Sequence, residues 1–431
     1  MKLYLSIPAA LMGLCLSFLA DGEAQAASFT FTKIADTSDR FSSFLSSPAL
    51  NNAGTVAFLA GLDTGGTGIF TGNGSTITTI ANTNNFFSSF RTPLSINDAG
   101  TVAFSAVLAE VATGIFKGNG TTTPTPVALA LPQSDSNGVG SPWIDDDVIV
   151  AKDYFSDFFS PSINNAGVVA FIENLYRGKG ILTSEGKVID TIFYGSVNSP
   201  FINDEGTVAY RVESGNPSTE IVTSNGTTRT IVASIINNYP EDSGFGSPAL
   251  NNVGTVAFYA PPAIDLSNDG YTPPGPLVGG KNEALFASNS KTTTLIADTS
   301  GSFNGFLGVP SINDVGTIAF FTKLDAGGTG IFTGADPLKD KVISTGDTLF
   351  GSTVTSLSFL REGLNNAGQV AFLASLANGT TGIFRADPGV SGEPTKDVPE
   401  PASGLGLLAF GALGAGSMMQ RKQKQQIDDQ L

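Results

Sequence analysis

The chain has 431 residues, among them 51 glycines and 31 phenylalanines, and a formal net charge of −16. Apolar residues make up 41% and charged residues 14%, which supplies a large core and excludes a disordered chain. Histidine is absent, which excludes imidazole acid–base chemistry, His-based nucleophile systems and His-ligated metals.

Lys2, an apolar run over residues 3–20 and the small-x-small site Ala24-Gln25-Ala26 predict a secretory signal peptide over residues 1–26. The only cysteine, Cys15, lies inside the apolar run, and Leu14 stands before it where a lipoprotein site needs a small residue. The mature chain therefore has no thiol and no disulfide, and its core must hold it together. Without the signal and the tail it keeps 18 basic and 33 acidic residues, a net charge of −15. Nucleic acid and anionic lipid surfaces are poor partners for such a chain.

Residues 27–388 carry seven copies of one text. Asn51-x-x-Gly54, Asn97-x-x-Gly100, Asn164-x-x-Gly167, Asn203-x-x-Gly206, Asn251-x-x-Gly254, Asn313-x-x-Gly316 and Asn365-x-x-Gly368 each precede a stretch such as Thr-Val-Ala-Phe. Asn, Asp and Gly tolerate left-handed backbone angles, so each Asn-x-x-Gly predicts a hairpin turn. The strand after it turns Val and Phe to one side and Thr and Ala to the other. A second hairpin follows in most copies, as in Thr67-Gly-Ile-Phe70 leading to Thr78-Thr-Ile80. Four short antiparallel strands per unit of about 40–50 residues predict a β-propeller blade.

The seventh unit ends at Thr381-Gly-Ile-Phe384-Arg-Ala-Asp-Pro388, without a fourth strand. The mature N-terminus reads Phe29-Thr-Phe-Thr-Lys-Ile34-Ala-Asp-Thr37, like the fourth-strand text Thr294-Leu-Ile296-Ala-Asp-Thr299. The expected fold is thus all-β: a seven-bladed propeller closed by its N-terminal strand, which leaves no open ring edge. The alternative is an open β-solenoid. These repeats resemble an exported bacterial tandem-repeat family with N-x-x-G-x-V-A-F repeats, over residues 28–387. That resemblance implies no catalytic residues.

Two units carry insertions. Residues 134–159 include Pro142-Trp-Ile-Asp145-Asp-Asp-Val-Ile-Val-Ala151, read as an added hairpin with acidic Asp145, Asp146 and Asp147 as a weak cation candidate. Asp265, Ser267 and Asp269 resemble the start of a calcium loop, but Pro276 stands where its bidentate Glu belongs, so no metal or other cofactor is expected. Phe pairs precede most repeats (Phe41 and Phe44, Phe87 and Phe90, Phe155 and Phe158, Phe303 and Phe306) and are read as packing between blades rather than sugar platforms. No G-x-S-x-G, Walker or dinucleotide fingerprint occurs, and no carboxylate is read as recurring so as to place a pair at the centre.

Residues 389–398 read as a flexible stalk. Pro399-Glu400-Pro401, an apolar stretch over residues 402–419 and Arg421-Lys422 follow, and residues 425–431 form a cytoplasmic tail. The apolar stretch is just long enough to span a bilayer, with the basic residues held inside. This tripartite tail, residues 399–424, resembles the PEP-CTERM signal. The resemblance implies an exosortase-type protease as partner and a transient membrane tether. The expected function is that of a non-catalytic cell-surface or extracellular-matrix protein. The alternatives are a carbohydrate-active enzyme using an Asp/Glu pair and a propeller that binds extracellular polysaccharide or another surface protein.

Overall fold

A computed structural model describes residues 28–83, 86–108, 112–130, 143–145, 148–151, 157–175, 178–214, 218–236, 245–261, 282–289 and 291–389. Every regular element among them is a β-strand, and the strands form seven separate sheets, antiparallel except for one parallel pair in the second, each built from one stretch of chain except the last, which the first strand completes. The first blade shows the plan. Its inner edge is Phe41–Phe44 with Ala49–Leu50, followed outward by Val56–Leu62, Thr67–Gly72 and Ile77–Asn82.

Each sheet is buried on both faces, and the repeated text explains how. Seven apolar clusters fill the molecule, one for each blade–blade interface. Between the first and second blades, Ala57, Leu59 and Ile69 meet Phe87, Val102, Phe104 and Phe116. Strand alternation thus sends Val and Phe toward the preceding blade, and Ala and its neighbours toward the following one. The Phe pairs belong to this packing. Phe41, Phe58 and Phe70 lie with ring centroids 5.0–5.7 Å apart, and Phe87, Phe104 and Phe116 repeat the arrangement at 5.0–5.8 Å. Phe155 lies outside the described residues.

The ring closes between the seventh and first blades. Strand Phe29–Asp36 pairs antiparallel with Thr381–Pro388, from Phe29 opposite Pro388 to Asp36 opposite Gly382, with a bulge at Ile34. It supplies the missing fourth strand. Ile34 lies over Gly72 of the first blade, where an added Cβ would stand 3.0 Å from its Cγ2; Ile80 covers Gly118 of the second blade in the same way at 3.4 Å. A clasp in the seventh unit secures the seam. Arg385 donates to the Gly54 carbonyl at 2.6 Å and to Asp387 at 2.7 Å, and Asp387 also accepts from the Thr32 hydroxyl at 2.8 Å.

The insertion in the second unit forms the expected hairpin. Trp143–Asp145 pairs antiparallel with Val148–Ala151, which adds in parallel to the outer strand Thr125–Ala130, making that blade six-stranded. Residues 1–26, read as a signal peptide, residues 390–398 of the stalk reading, the apolar stretch 402–419 and residues 265–269 lie outside the described residues. No helix among the described residues is long and apolar enough to cross a membrane.

Candidate functional site

The central channel opens at the seven Asn-x-x-Gly turns. The glycines have φ between 75° and 87°, and at Gly100 an added Cβ would meet nothing within 4 Å. Backbone angle rather than crowding therefore requires glycine here. The leading asparagines correct the sequence reading. They are absent from the positive-φ residues of the described chain and are buried, at 3–5% exposure. They are retained for their side chains.

Each of these asparagines spends its amide twice. Its Oδ1 accepts the N–H four residues on, closing its own turn at 2.8–3.0 Å. Its Nδ2 donates to the backbone carbonyl of the equivalent asparagine in the next blade at 2.9–3.3 Å. The last of these bonds runs from Asn365 to Asn51, so the chain of amides is a complete circle.

A second circle lies at the following residue, in the order Asn52, Asp98, Asn165, Asp204, Asn252, Asp314, Asn366. Every side-chain Oδ1 accepts the backbone N–H of the preceding blade at 2.8–2.9 Å. Each carboxylate's Oδ2 accepts amide donors from both neighbours, as Asp204 does from Asn165 at 3.0 Å and Asn252 at 2.9 Å. Alternation is the arrangement that gives each acid two donors and keeps acids apart. An odd number of blades forces one like pair, and it falls at Asn366–Asn52, the seam. Carboxylates therefore do recur in the repeats, at Asp98, Asp204 and Asp314, contrary to the sequence reading. Every second copy carries one, a pattern with meaning only once the copies form a ring.

Beneath the circles is a cavity of about 120 Å³, with Arg361 and Glu362 among its lining residues. Arg361 is 4% exposed and donates from Nη1 to the Pro200 carbonyl at 2.7 Å and from Nη2 to the Pro161 carbonyl at 3.4 Å. Its guanidinium carbon also lies 5.5 Å from the Phe201 ring centre. The Glu362 carbonyl accepts the Leu50 N–H at 2.7 Å, and its carboxyl Oε2 accepts the Ile96 N–H at 3.3 Å. Burial pushes the Glu362 carboxyl up to about 7, against the opposing pull of Arg361, Ser95 and the Ile96 N–H. Burial also lowers the Arg361 guanidinium from its ordinary value, and Glu362 opposes that shift.

Sequence reasoning missed this pair, although a signal was present. Three residues before the ring asparagine, units one and three to six carry Pro48, Pro161, Pro200, Pro248 and Pro310, whereas unit seven carries Glu362. A second polar cluster joins the third and fourth blades, where Tyr210 replaces the repeat's Phe. Its hydroxyl donates to Asp190 at 2.6 Å, and Arg229 donates to Asp190 at 3.1 Å and to Glu220 at 2.8 Å. Tyr210 is fully buried, whereas the Arg229 side chain is 39% exposed.

The calcium candidates Asp265, Ser267 and Asp269 and the sorting residues Pro399, Glu400, Pro401, Arg421 and Lys422 lie outside the described residues, as do Asp146 and Asp147. Among the described residues no group of three or more acidic, Cys or His side chains is arranged to hold a metal ion.

Comparison with known families gives two matches. Residues 397–422 match the PEP-CTERM protein-sorting motif, which marks an exported protein. Residues 20–189 match a family of unknown function, DUF7453. No curated protein matches the chain. Among solved structures, the β-propeller domain of the trilobed protease from Pyrococcus furiosus is similar at 11% identity and a TM-score of 0.48, over 81% of this chain and 98% of that one. Virginiamycin B lyase from Staphylococcus aureus is similar at 12% identity and a TM-score of 0.45, over 84% and 99%.

Proposed function

We propose that this chain is a non-catalytic protein of the cell surface or extracellular matrix. In this reading it is a self-locked propeller, exported and then cut near Pro399-Glu400-Pro401 by an exosortase-type protease. One observation carries the reading. The polar side chains at the channel mouth are engaged with one another, each asparagine amide joining its blade to the next. A channel so committed acts as a structural hub, and the match to the sorting motif supplies the address.

Two measurements on the exported protein test it. Its intact mass should end near Glu400; a mass that includes residues 402–431 would overturn the processing step and leave a permanent anchor. Incubation with polysaccharide from its own cell surface should release no new reducing ends. Release that disappears in Glu362→Gln would overturn the non-catalytic reading and favour a carbohydrate-active enzyme.

A further inference from the structure

The turn that follows strand Ser352–Ser358 in the seventh unit ties that blade to several others. Through residues 361 and 362 it bonds to four blades at once: Leu50 of the first, Ile96 of the second, Pro161 of the third and Pro200 of the fourth. In three other blades the N–H at this position is met by a serine hydroxyl of the preceding blade: Ser95 for Ile163, Ser162 for Ile202 and Ser311 for Leu364. Before Ile96 the preceding blade offers Ala49, which has no hydroxyl, and Glu362 takes the bond instead.

The carboxyl is nonetheless poorly placed to carry charge. Its Oε1 is buried without a hydrogen-bond partner, and the nearest cationic atom, Arg361 Nε, is 3.9 Å away and also unpartnered. Two other guanidinium nitrogens are committed to the Pro200 and Pro161 carbonyls. The remaining charged groups lining the cavity are Asp98, Asp204 and Asp314, all of the same sign as an ionised Glu362. A carboxylate here has the Ile96 N–H and the Ser95 hydroxyl as donors, but one of its oxygens is buried without a partner, its one cation is 3.9 Å away and the other charged groups of the cavity are acids, so burial outweighs the donors and favours the neutral acid.

We propose that Glu362 is a protonation-controlled pin: as a neutral acid it joins the seventh blade to the first and second, and its ionisation loosens the closed ring. An unfolded chain's Glu ionises near 4.5, and burial moves Glu362 to about 7. Between those values the folded protein keeps a proton that the unfolded chain has released. The stabilisation is therefore fully present below about pH 4.5 and is lost as pH rises through 7. The folded-to-unfolded ratio falls by about two orders of magnitude across that window. An exported protein meets the pH of its surroundings directly, so the ring is firmer in mildly acid medium.

Denaturant unfolding of the full exported chain and of Glu362→Gln between pH 5 and 8.5 tests the pin. Gln keeps an oxygen for the Ile96 N–H and cannot ionise in this range. The unmodified chain should lose about two orders of magnitude in folding equilibrium constant relative to the variant as pH rises; parallel curves would overturn the proposal. Should Glu362→Gln not fold, the unmutated protein still reports. The Ile96 amide resonance should titrate with a midpoint near 7, and a midpoint near 4.5 would overturn the pin.

Discussion

Closure by the N-terminal strand can be tested with one side chain and an internal control. Ile34 and Ile80 occupy equivalent places, each in the outermost strand of its blade and each packed over a glycine of the next blade, and they are 5% and 3% exposed. Ile→Ala removes three carbons, worth about 0.8 kcal/mol each in transfer free energy. That gives about 2.4 kcal/mol, and the cavity left behind raises the total to about 2.5–4 kcal/mol. In a closed ring both substitutions cost this amount. In an open array Ile34 would sit in a fraying terminal strand, and Ile34→Ala would cost under about 0.5 kcal/mol while Ile80→Ala kept its full effect. Equilibrium denaturation of both variants against the mature chain measures the difference. A full loss for Ile80→Ala with an unchanged midpoint for Ile34→Ala would refute closure.

Asn251→Ala removes a 2.9 Å bond to the Asn313 carbonyl and a 2.8 Å bond from the Thr255 N–H. It should cost about 2–4 kcal/mol, because a partly buried donor is left without a partner as well; a denaturation midpoint within error of the parent would show the circle to be dispensable. Tyr210→Phe restores the repeat's own residue and should fit without strain, but it forfeits the 2.6 Å bond to Asp190. A loss of about 1–2 kcal/mol in thermal unfolding is expected, and a gain in stability would refute that role.

Much of the fold was legible because the repeat makes one local decision seven times. Val and Phe alternating with Ala and Thr dictates a strand buried on both faces, and a glycine with φ near 77° dictates the turn before it. The reading of the leading asparagines as left-handed residues failed for an instructive reason. Turn statistics credit Asn with conformational tolerance, whereas here its amide bridges two blades some 46 residues apart in sequence. Local preference contains no information about a partner that remote. The Arg361–Glu362 pair stands outside the repeated text, so the repeat itself says nothing of its role, and only the fold places it among residues of all seven blades.

By itself the sequence determined the strand text, the number of units and the sorting motif, since each is written in contiguous residues. Even closure was inferable, because the missing strand of one end matches the text of the other. Only the tertiary structure decided what the polar residues do. The alternation of Asn and Asp at the second turn position is a mere tolerance along the chain. Arranged in a circle, each acid faces two amides and each amide completes its neighbour's bonds. Hydrogen bonds and ionisation depend on which groups lie within about 3 Å and on how much water is excluded, and seven sequence-distant turns acquire both properties only when the ring brings them together.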